Sequence, residues 1–449
     1  MKHILIFTLL FCTFTIKAQV IMTLQQCLDA ARENNRELQN AALNISIASE
    51  QKKEAYTKYY PKISANVLAF QAFDKMIKGD GTIPAEIAIL NNNLAQLVGQ
   101  PYSYSELSRG YNATLSVVEP LYAGGQSHSG NRLAQIQKDV YTLQHSLKEK
   151  DVLQKVTENY WKIATVKYNL NTLDAADKQI KAVYDQVDQF VKAGVTTRND
   201  LIKVRLRQQE LASNRLKLEN AEKILKLLLA QQIGITGKEF DIDTMQLREQ
   251  NPQAVFVSPE QAVNQREELQ LAQKGVEAQE QQIKMERGKN LPTLAIGALG
   301  FHYGLGGLSD NIRHHMSTTQ TNGMVFGTLS IPISSWWGGN HAIKRMKIKL
   351  QQNQNDAQEA REKLAIDIES AWNNLTESYK QIELARTSVE ESRENLRIET
   401  NQYNAGTESL TELLDAETLY RKTCNLLSEA LATYQIRLAD YQRKTGKAK

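Results

Sequence analysis

The chain has 449 residues, with 54 Lys and Arg against 50 Asp and Glu, and its formal charge of +4 is too small to argue for nucleic acid or an acidic partner. Its 3 cysteines are too few for a disulfide scaffold. Its 7 histidines show no paired metal spacing, and no glycine-rich loop follows a strand and opens a helix, so an enzyme reading has no support.

Lys2 and His3 precede an apolar run from Ile4 to Ile16, and Lys17-Ala18-Gln19 follows. This predicts a secretory signal peptide over 1–18, too short to span a bilayer, and a mature chain that begins at Gln19. Cys12 follows Leu10-Phe11 where a lipid signal needs a small residue, so lipidation is not expected. After Gln19 no stretch reaches the roughly 18 to 20 apolar residues of a transmembrane helix, which leaves the periplasm, the outer membrane or the exterior. Cys27 and Cys424 remain in the mature chain. Two buried thiols are the preferred reading, because Cys424 falls in an apolar helical register, with a disulfide between them as the alternative.

The periodicity predicts a helix over 23–59, strands near 62–73 and 110–119, a helix over 126–192, a turn, and a helix over 198–232. Past a connector at 234–258 the order repeats: a helix over 259–288, strands near 293–303 and 323–331, a helix over 340–404, a turn, and a helix over 408–444. The chain therefore divides into two repeats, 19–233 and 259–449. The turns match: F-V-K-A-G-V-T-T-R-N-D-L carries Ala193, Gly194, Asp200 and Leu201, and Q-Y-N-A-G-T-E-S-L-T-E-L carries Ala405, Gly406, Glu412 and Leu413, each pair 212 positions apart. Each copy is a long helical hairpin with no proline inside. Tyr420, Cys424, Leu427, Leu431, Tyr434, Leu438 and Tyr441 alternate steps of four and three, the seam of a left-handed coiled coil. A helix of about 65 residues spans roughly 100 Å, so length itself is being selected. A coiled-coil spacer without a pore also explains that length and, on the helices alone, is the preferred reading.

The segments between helices change period from 3.6 to 2. In Y-N-A-T-L-S-V-V-E-P, Tyr111, Ala113, Leu115 and Val117 face one way and Asn112, Thr114 and Ser116 the other, the alternation of an outer-membrane barrel strand. M-V-F-G-T-L-S-I-P repeats it with Val325, Gly327, Leu329 and Ile331 against Thr328 and Ser330, while the other two strands are mixed in facing. Four strands cannot close, and an open edge is forbidden in lipid. Two chains would give eight strands and a filled barrel, three would give twelve and a lumen, and the trimer is preferred. Tyr59, Tyr60, Tyr122, Trp336 and Trp337 cluster where strands meet helices, either as a water-lipid interface belt or as plugs in the joint. Gly124-Gly125 and Gly338-Gly339 stand where strands must swing into helices. The strand connections, roughly 74–109 and 304–322, are polar and suit the outer face. Arg313-His314-His315-Met316, with His302 nearby, raises a metal-export reading that exposed loops also satisfy by chance.

The whole mature chain resembles the TolC-like outer-membrane efflux proteins. The resemblance rests on M-T-L-Q-Q-C-L-D-A-A-R-E-N-N, Y-Y-P-K-I-S, E-P-L-Y-A-G-G and above all Y-N-A-G-T-E-S-L-T-E-L-L-D-A-E. It implies an α+β membrane protein: a homotrimer with a twelve-stranded barrel in outer-membrane lipid and a tunnel of long helical hairpins in the periplasm. Its closed tip would be opened by a periplasmic adaptor, a membrane fusion protein, and powered by an inner-membrane RND or ABC pump. No cofactor or metal is implied. The resemblance assigns the acidic constriction to Glu412 and Asp415, and polar links between hairpins to Asp200 and Tyr403. Glu408 stands where some relatives carry arginine, so the expected latch is rearranged, pairing Arg198 or Lys203 with Glu408 or Asp415. The tips around Ala193, Gly194, Ala405 and Gly406 are the implied adaptor-docking surface, although glycine also suits a tight turn there. Two other functions remain open: an exit duct for type I protein secretion, and a periplasmic coiled-coil scaffold without a pore.

Overall fold

The computed structural model describes residues 20–73, 77–78, 81–82, 101–102, 106–107, 109–237, 239–244, 251–307 and 316–447. The signal-peptide segment 1–18, the loop residues Gly79, Asp80 and Asn91 to Asn93, and the run Arg313 to His315 lie outside them. Helices are α1 (Leu24–Asn34), α2 (Arg36–Tyr56), α3 (Gln126–Lys192), α4 (Arg198–Gln232), α5 (Pro259–Val263), α6 (Glu267–Gly288), α7 (Ser335–Asn404) and α8 (Leu410–Lys444). The principal strands are β1 (Val20–Met22), β2 (Lys62–Gln71), β3 (Arg109–Ala123), β4 (Phe240–Ile242), β5 (Thr293–Gly307) and β6 (Met316–Ser330). Ile77–Lys78 pairs with Glu106–Leu107, and Gly81–Thr82 with Pro101–Tyr102. The chain forms two compact units: Met1–Ser46, Asp139–Lys274 and Gln354–Lys449 make the first, Ile47–Lys138 and Gly275–Asn353 the second. Each unit draws on both repeats.

The first unit is helical, and its core is a series of seams. Cys27, Ala31, Val156, Tyr160, Ile163, Leu229 and Ile233 pack with Phe240 and Ile242 of β4. Ile368, Leu375, Ile382, Tyr434 and Tyr441 form a second seam between α7 and α8. A third holds both hairpins together: Ile180, Val183 and Val187 of α3, Val204 and Leu211 of α4, Leu396 of α7, and Leu410, Leu413 and Ala416 of α8. These positions recur at steps of three, four and seven, which keeps the apolar stripe on one side of each helix. The helices expose a further set of large apolar side chains, among them Leu206, Leu216 and Leu227 of α4 and Leu419 and Leu426 of α8.

The second unit is built on one antiparallel sheet in the order β6-β5-β3-β2, so β2 and β6 are its edges. Four alternating strands leave the two edge ladders without a partner among the described residues.

Several boundaries differ from the sequence expectation, each for a local reason. The first helix breaks at Asn35, whose side-chain oxygen accepts from the backbone of Glu37 at 2.8 Å and Leu38 at 3.2 Å and so caps α2. The helix expected over 259–288 divides after Val263, where buried Arg266 bonds Glu268 and the Lys444 carbonyl. Strands β5 and β6 run on to Gly307 and back from Met316, so much of the expected 304–322 loop is ladder. Helix α7 begins at Ser335, which makes Gly338 and Gly339 helical rather than a swivel, and the Asn290 amide occupies the space a Gly339 side chain would need. Gly124 and Gly125 do take positive φ, 61° and 75°. Within the expected connector, β4 pairs in parallel with β1, an element that three-residue strands do not announce by periodicity.

Candidate gate and membrane sheet

The two hairpin turns are the same object. Helix α3 ends with Gly194 at φ +73°, the Gly194 amide bonding the Val191 carbonyl and the Val195 amide the Phe190 carbonyl. Helix α7 ends with Gly406 at φ +74°, and Gly406 and Thr407 bond the carbonyls of Tyr403 and Gln402. These paired bonds around a left-handed glycine are the Schellman closure. Each following helix is capped by a hydroxyl, Thr197 accepting from the Asp200 amide and Ser409 from the Glu412 amide. Ala193 and Ala405 are the exposed residues before each glycine.

Asp200 is held by its own turn. Its Oδ2 accepts from the hydroxyls of Thr196 at 2.7 Å and Thr197 at 2.9 Å, and Lys203 lies 3.4 Å from Oδ1. The Thr196 hydroxyl, helped by Thr197 and Lys203 against a smaller effect of burial, keeps the carboxyl below its usual 3.8. Tyr403 is half-buried against the seam, and burial, then the nearby Asp200 charge, raises its hydroxyl above the usual range.

Within one chain the expected latch pairs are not in contact. Among the described residues no ion pair joins Arg198 or Lys203 to Glu408 or Asp415; Lys203 reaches the second hairpin at the Thr411 hydroxyl, 3.1 Å away. Arg198, Glu412 and Asp415 are exposed, and Glu408 turns back to accept from the Ser409 amide. A buried ion pair between the hairpins lies further along. Arg207 donates to Glu417 Oε2 from Nη2 at 2.7 Å and from Nε at 3.2 Å, and also to Thr418. Burial works against the Arg207 charge, but its bonds and attraction to Glu417 and Glu210 outweigh that and raise its pKa. Gln186 to Asn404, at 3.2 Å, adds a further link near the turns. Sequence reasoning missed Arg207, which falls outside the glycine motifs, and gave no role to Glu417, the last residue of the second one. The available signal was a charge at an otherwise apolar position, as Glu417 follows Leu413 and Ala416 on the seam.

In the sheet, directly opposed residues share a face. One face carries the rungs Asn66, Thr114, Phe301, Asn322 and Leu68, Asn112, Tyr303, Gln320; the other carries Ile63, Val117, Ala298, Val325 and Ala65, Leu115, Gly300, Gly323. Thr114, Tyr303 and Leu305 on the first face are buried, with Leu68 of the edge strand exposed there, whereas Ile63, Leu115 and Val325 on the second are exposed. Crowding on one face and exposure on the other is what a curled sheet produces on its inner and outer sides. The middle of the exposed face is apolar, while Gln71, Arg109, Ser317 and Thr319 lie towards one end of it and Glu119 towards the other; His302 on the same face bonds the Tyr111 hydroxyl at 3.0 Å and the Thr321 hydroxyl at 2.7 Å. His302 is thus engaged by two neighbours, and no metal-holding cluster occurs among the described residues. A register shift between Pro120 and Tyr122 sets Tyr122 opposite Leu294 and returns it to the exposed face. Tyr59, Tyr60, Trp336 and Trp337 are exposed at the same end of the strands; Tyr56 touches both tyrosines edge-on, and the Trp336 indole donates to the Asn290 carbonyl at 2.8 Å. Cys27 and Cys424 are both free and buried.

The sequence model of the outer membrane efflux protein family matches residues 27–231 and 258–446. The outer membrane protein TolC of Salmonella enteritidis is 20% identical over 358 residues, covering 76% of this chain and 71% of that protein. Among solved structures, the Campylobacter jejuni CmeC outer membrane channel superposes with a TM-score of 0.76 at 16% identity, covering 95% of this chain and 86% of that one. The outer membrane protein VceC of Vibrio cholerae does so with a TM-score of 0.75 at 12% identity, covering 94% of this chain and 96% of that one.

Proposed function

The chain belongs to the outer membrane efflux protein family, and on that premise we propose that it works as a homotrimer whose hairpin turns form the gated inner tip of an exit duct. It is an outer-membrane efflux channel that extends into the periplasm. The poreless scaffold reading does not survive the family assignment. The observation that supports the trimer is the open sheet: among the described residues β2 and β6 are unpaired edges, and a bilayer offers nothing to satisfy them. Because the strands alternate, β2 of one copy runs antiparallel to β6 of the next, and three four-stranded sheets close as a twelve-stranded barrel wide enough for a lumen.

At the tip, Glu412 and Asp415 are exposed three residues apart on α8. Three copies bring six carboxylates around one axis, a ring that draws cations and repels anions within a Debye length, about 8 Å at physiological salt. Asp200 and Lys203 stabilise the first turn, and Tyr403 packs beneath it. The turns at Gly194 and Gly406 receive a periplasmic adaptor, a membrane fusion protein coupled to an inner-membrane RND or ABC pump. The apolar face and the belt of Tyr59, Tyr60, Tyr122, Trp336 and Trp337 meet lipid. The gate is tested by bilayer recordings of the purified channel: Glu412→Gln with Asp415→Asn is expected to abolish cation preference, and unchanged ion selectivity would remove these residues from the pore.

A further inference from the structure

Four side chains above the tip make a closed square of charges that the acidic ring does not explain. Arg207 and Glu210 belong to α4 of the first hairpin, Glu417 and Arg421 to α8 of the second. Across the hairpins, Arg207 Nη2 lies 2.7 Å from Glu417 Oε2, and Arg421 Nη2 lies 3.7 Å from Glu210 Oε1. Along the helices, Arg207 also meets Glu210, and Arg421 Nε lies 3.7 Å from Glu417 Oε1. Three corners sit largely out of water, the Glu417 side chain 3% exposed, Arg207 10% and Arg421 14%, while Glu210 at 50% lies at the edge towards solvent. It is also incompletely bonded, since buried Glu417 Oε1 and Arg421 Nε have no hydrogen-bond partner.

A buried ion pair split between two elements ordinarily resists separation, because parting leaves a lone buried charge. Here each helix carries one cation and one anion. When the hairpins part, Arg207 retains Glu210 at i,i+3 and Arg421 retains Glu417 at i,i+4, and neither surface is left with net charge. The unbonded Glu417 Oε1 and Arg421 Nε already face each other for the second pairing. We propose that Arg207, Glu210, Glu417 and Arg421 are a releasable clasp between the two hairpins of one chain. Pairing across the hairpins holds them together, and exchange to pairing within each helix lets them separate without stranding a charge. The clasp rests on the tip being the gate, since hairpin separation opens the duct only there.

Two readouts on the assembled channel keep the clasp and the gate distinguishable. Spin labels at Gln209 and Lys422, exposed on α4 and α8, report hairpin spacing within a chain by pulsed electron resonance after dilution with unlabelled chains. Bilayer recording reports the open fraction. Glu417→Gln is expected to broaden the spacing and raise the open fraction about tenfold, within the coupling range of contacting charge pairs. The uncharged variant Arg207→Met, Glu210→Gln, Glu417→Leu, Arg421→Met is expected to narrow the spacing and lower the open fraction by a similar factor, because an apolar seam holds as well as a buried pair and has no second pairing. Reversing all four charges, Arg207→Glu, Glu210→Arg, Glu417→Arg, Arg421→Glu, preserves every pairing and is expected to restore both readouts. An uncharged variant with natural spacing and opening overturns the clasp and leaves the square structural. An altered open fraction with unaltered spacing also overturns it. Altered spacing with an unaltered open fraction upholds the clasp and overturns the gate reading instead.

Discussion

Adjacent residues of β2 point to opposite sides of the sheet, and this gives the sharpest test of how the sheet meets its surroundings. Val67 sits mid-strand on the apolar face, 77% exposed, while Asn66 shares a rung with Thr114 and Asn322 on the crowded face. In the proposed barrel Val67 would touch lipid and Asn66 would face the lumen. Arginine at a lipid-facing midplane position costs about 2–4 kcal/mol, so Val67→Arg in three copies costs the trimer roughly 6–12 kcal/mol, comparable to the whole stability of an ordinary domain. Asn66→Arg faces water and carries no such penalty. The assay is folding into phospholipid vesicles, followed as resistance of the oligomer to detergent denaturation on unheated gels. Val67→Arg is expected to leave little resistant oligomer, and Asn66→Arg to assemble normally with an altered ion preference. Equal tolerance of both, or the reverse order, refutes the assignment of faces.

Three further outcomes follow from particular sites. A methyl group at Gly194 or Gly406 meets no atom within 4 Å, so alanine there is expected to cost only the left-handed strain, about 1–2 kcal/mol, whereas Gly124→Ala also collides with the Gly288 backbone and is expected to prevent folding; thermal melts separate the two classes. Glu267 is partly buried, which pushes its pKa up, but bonds from Lys150 at 2.6 Å and Ser146 at 2.9 Å outweigh this and hold it below the usual 4.5. A depressed carboxylate stabilises above its unfolded pKa and loses that contribution as pH falls through the folded one, so Glu267→Gln is expected to be less stable by about 1.5–3 kcal/mol at pH 7, with the difference shrinking as the pH falls below the usual 4.5 in melts across that range. Burial pushes the Cys27 thiol up to about 12 and raises Cys424 as well, so neither is expected to alkylate at pH 8 until the protein unfolds; labelling of the native protein, or a mass showing a disulfide between them, contradicts this.

Much of the fold was legible because long helices and alternating strands write their periods over many residues. The repeated turns were visible as Gly194 and Gly406, and the turn chemistry matched: a left-handed glycine, then a hydroxyl cap at Thr197 or Ser409. What periodicity missed was short or non-local. The β1-β4 pair is three residues long, the cap at Asn35 depends on one side chain, and the shift at Tyr122 depends on the neighbouring strand. Latch partners were the least legible part. Opposite charges near the tip suggested Arg198 or Lys203 with Glu408 or Asp415, yet Lys203 is taken up by Asp200 and Thr411. The buried pair is Arg207 and Glu417, which only the packing of α4 against α8 brings together.

The central claim is that three open sheets close into one conducting barrel. Native mass spectrometry of the channel extracted from outer membranes, with conductance measured on the same fraction, tests it most directly. Three chains in the conducting species are the expected result, and a conducting monomer or dimer would contradict it.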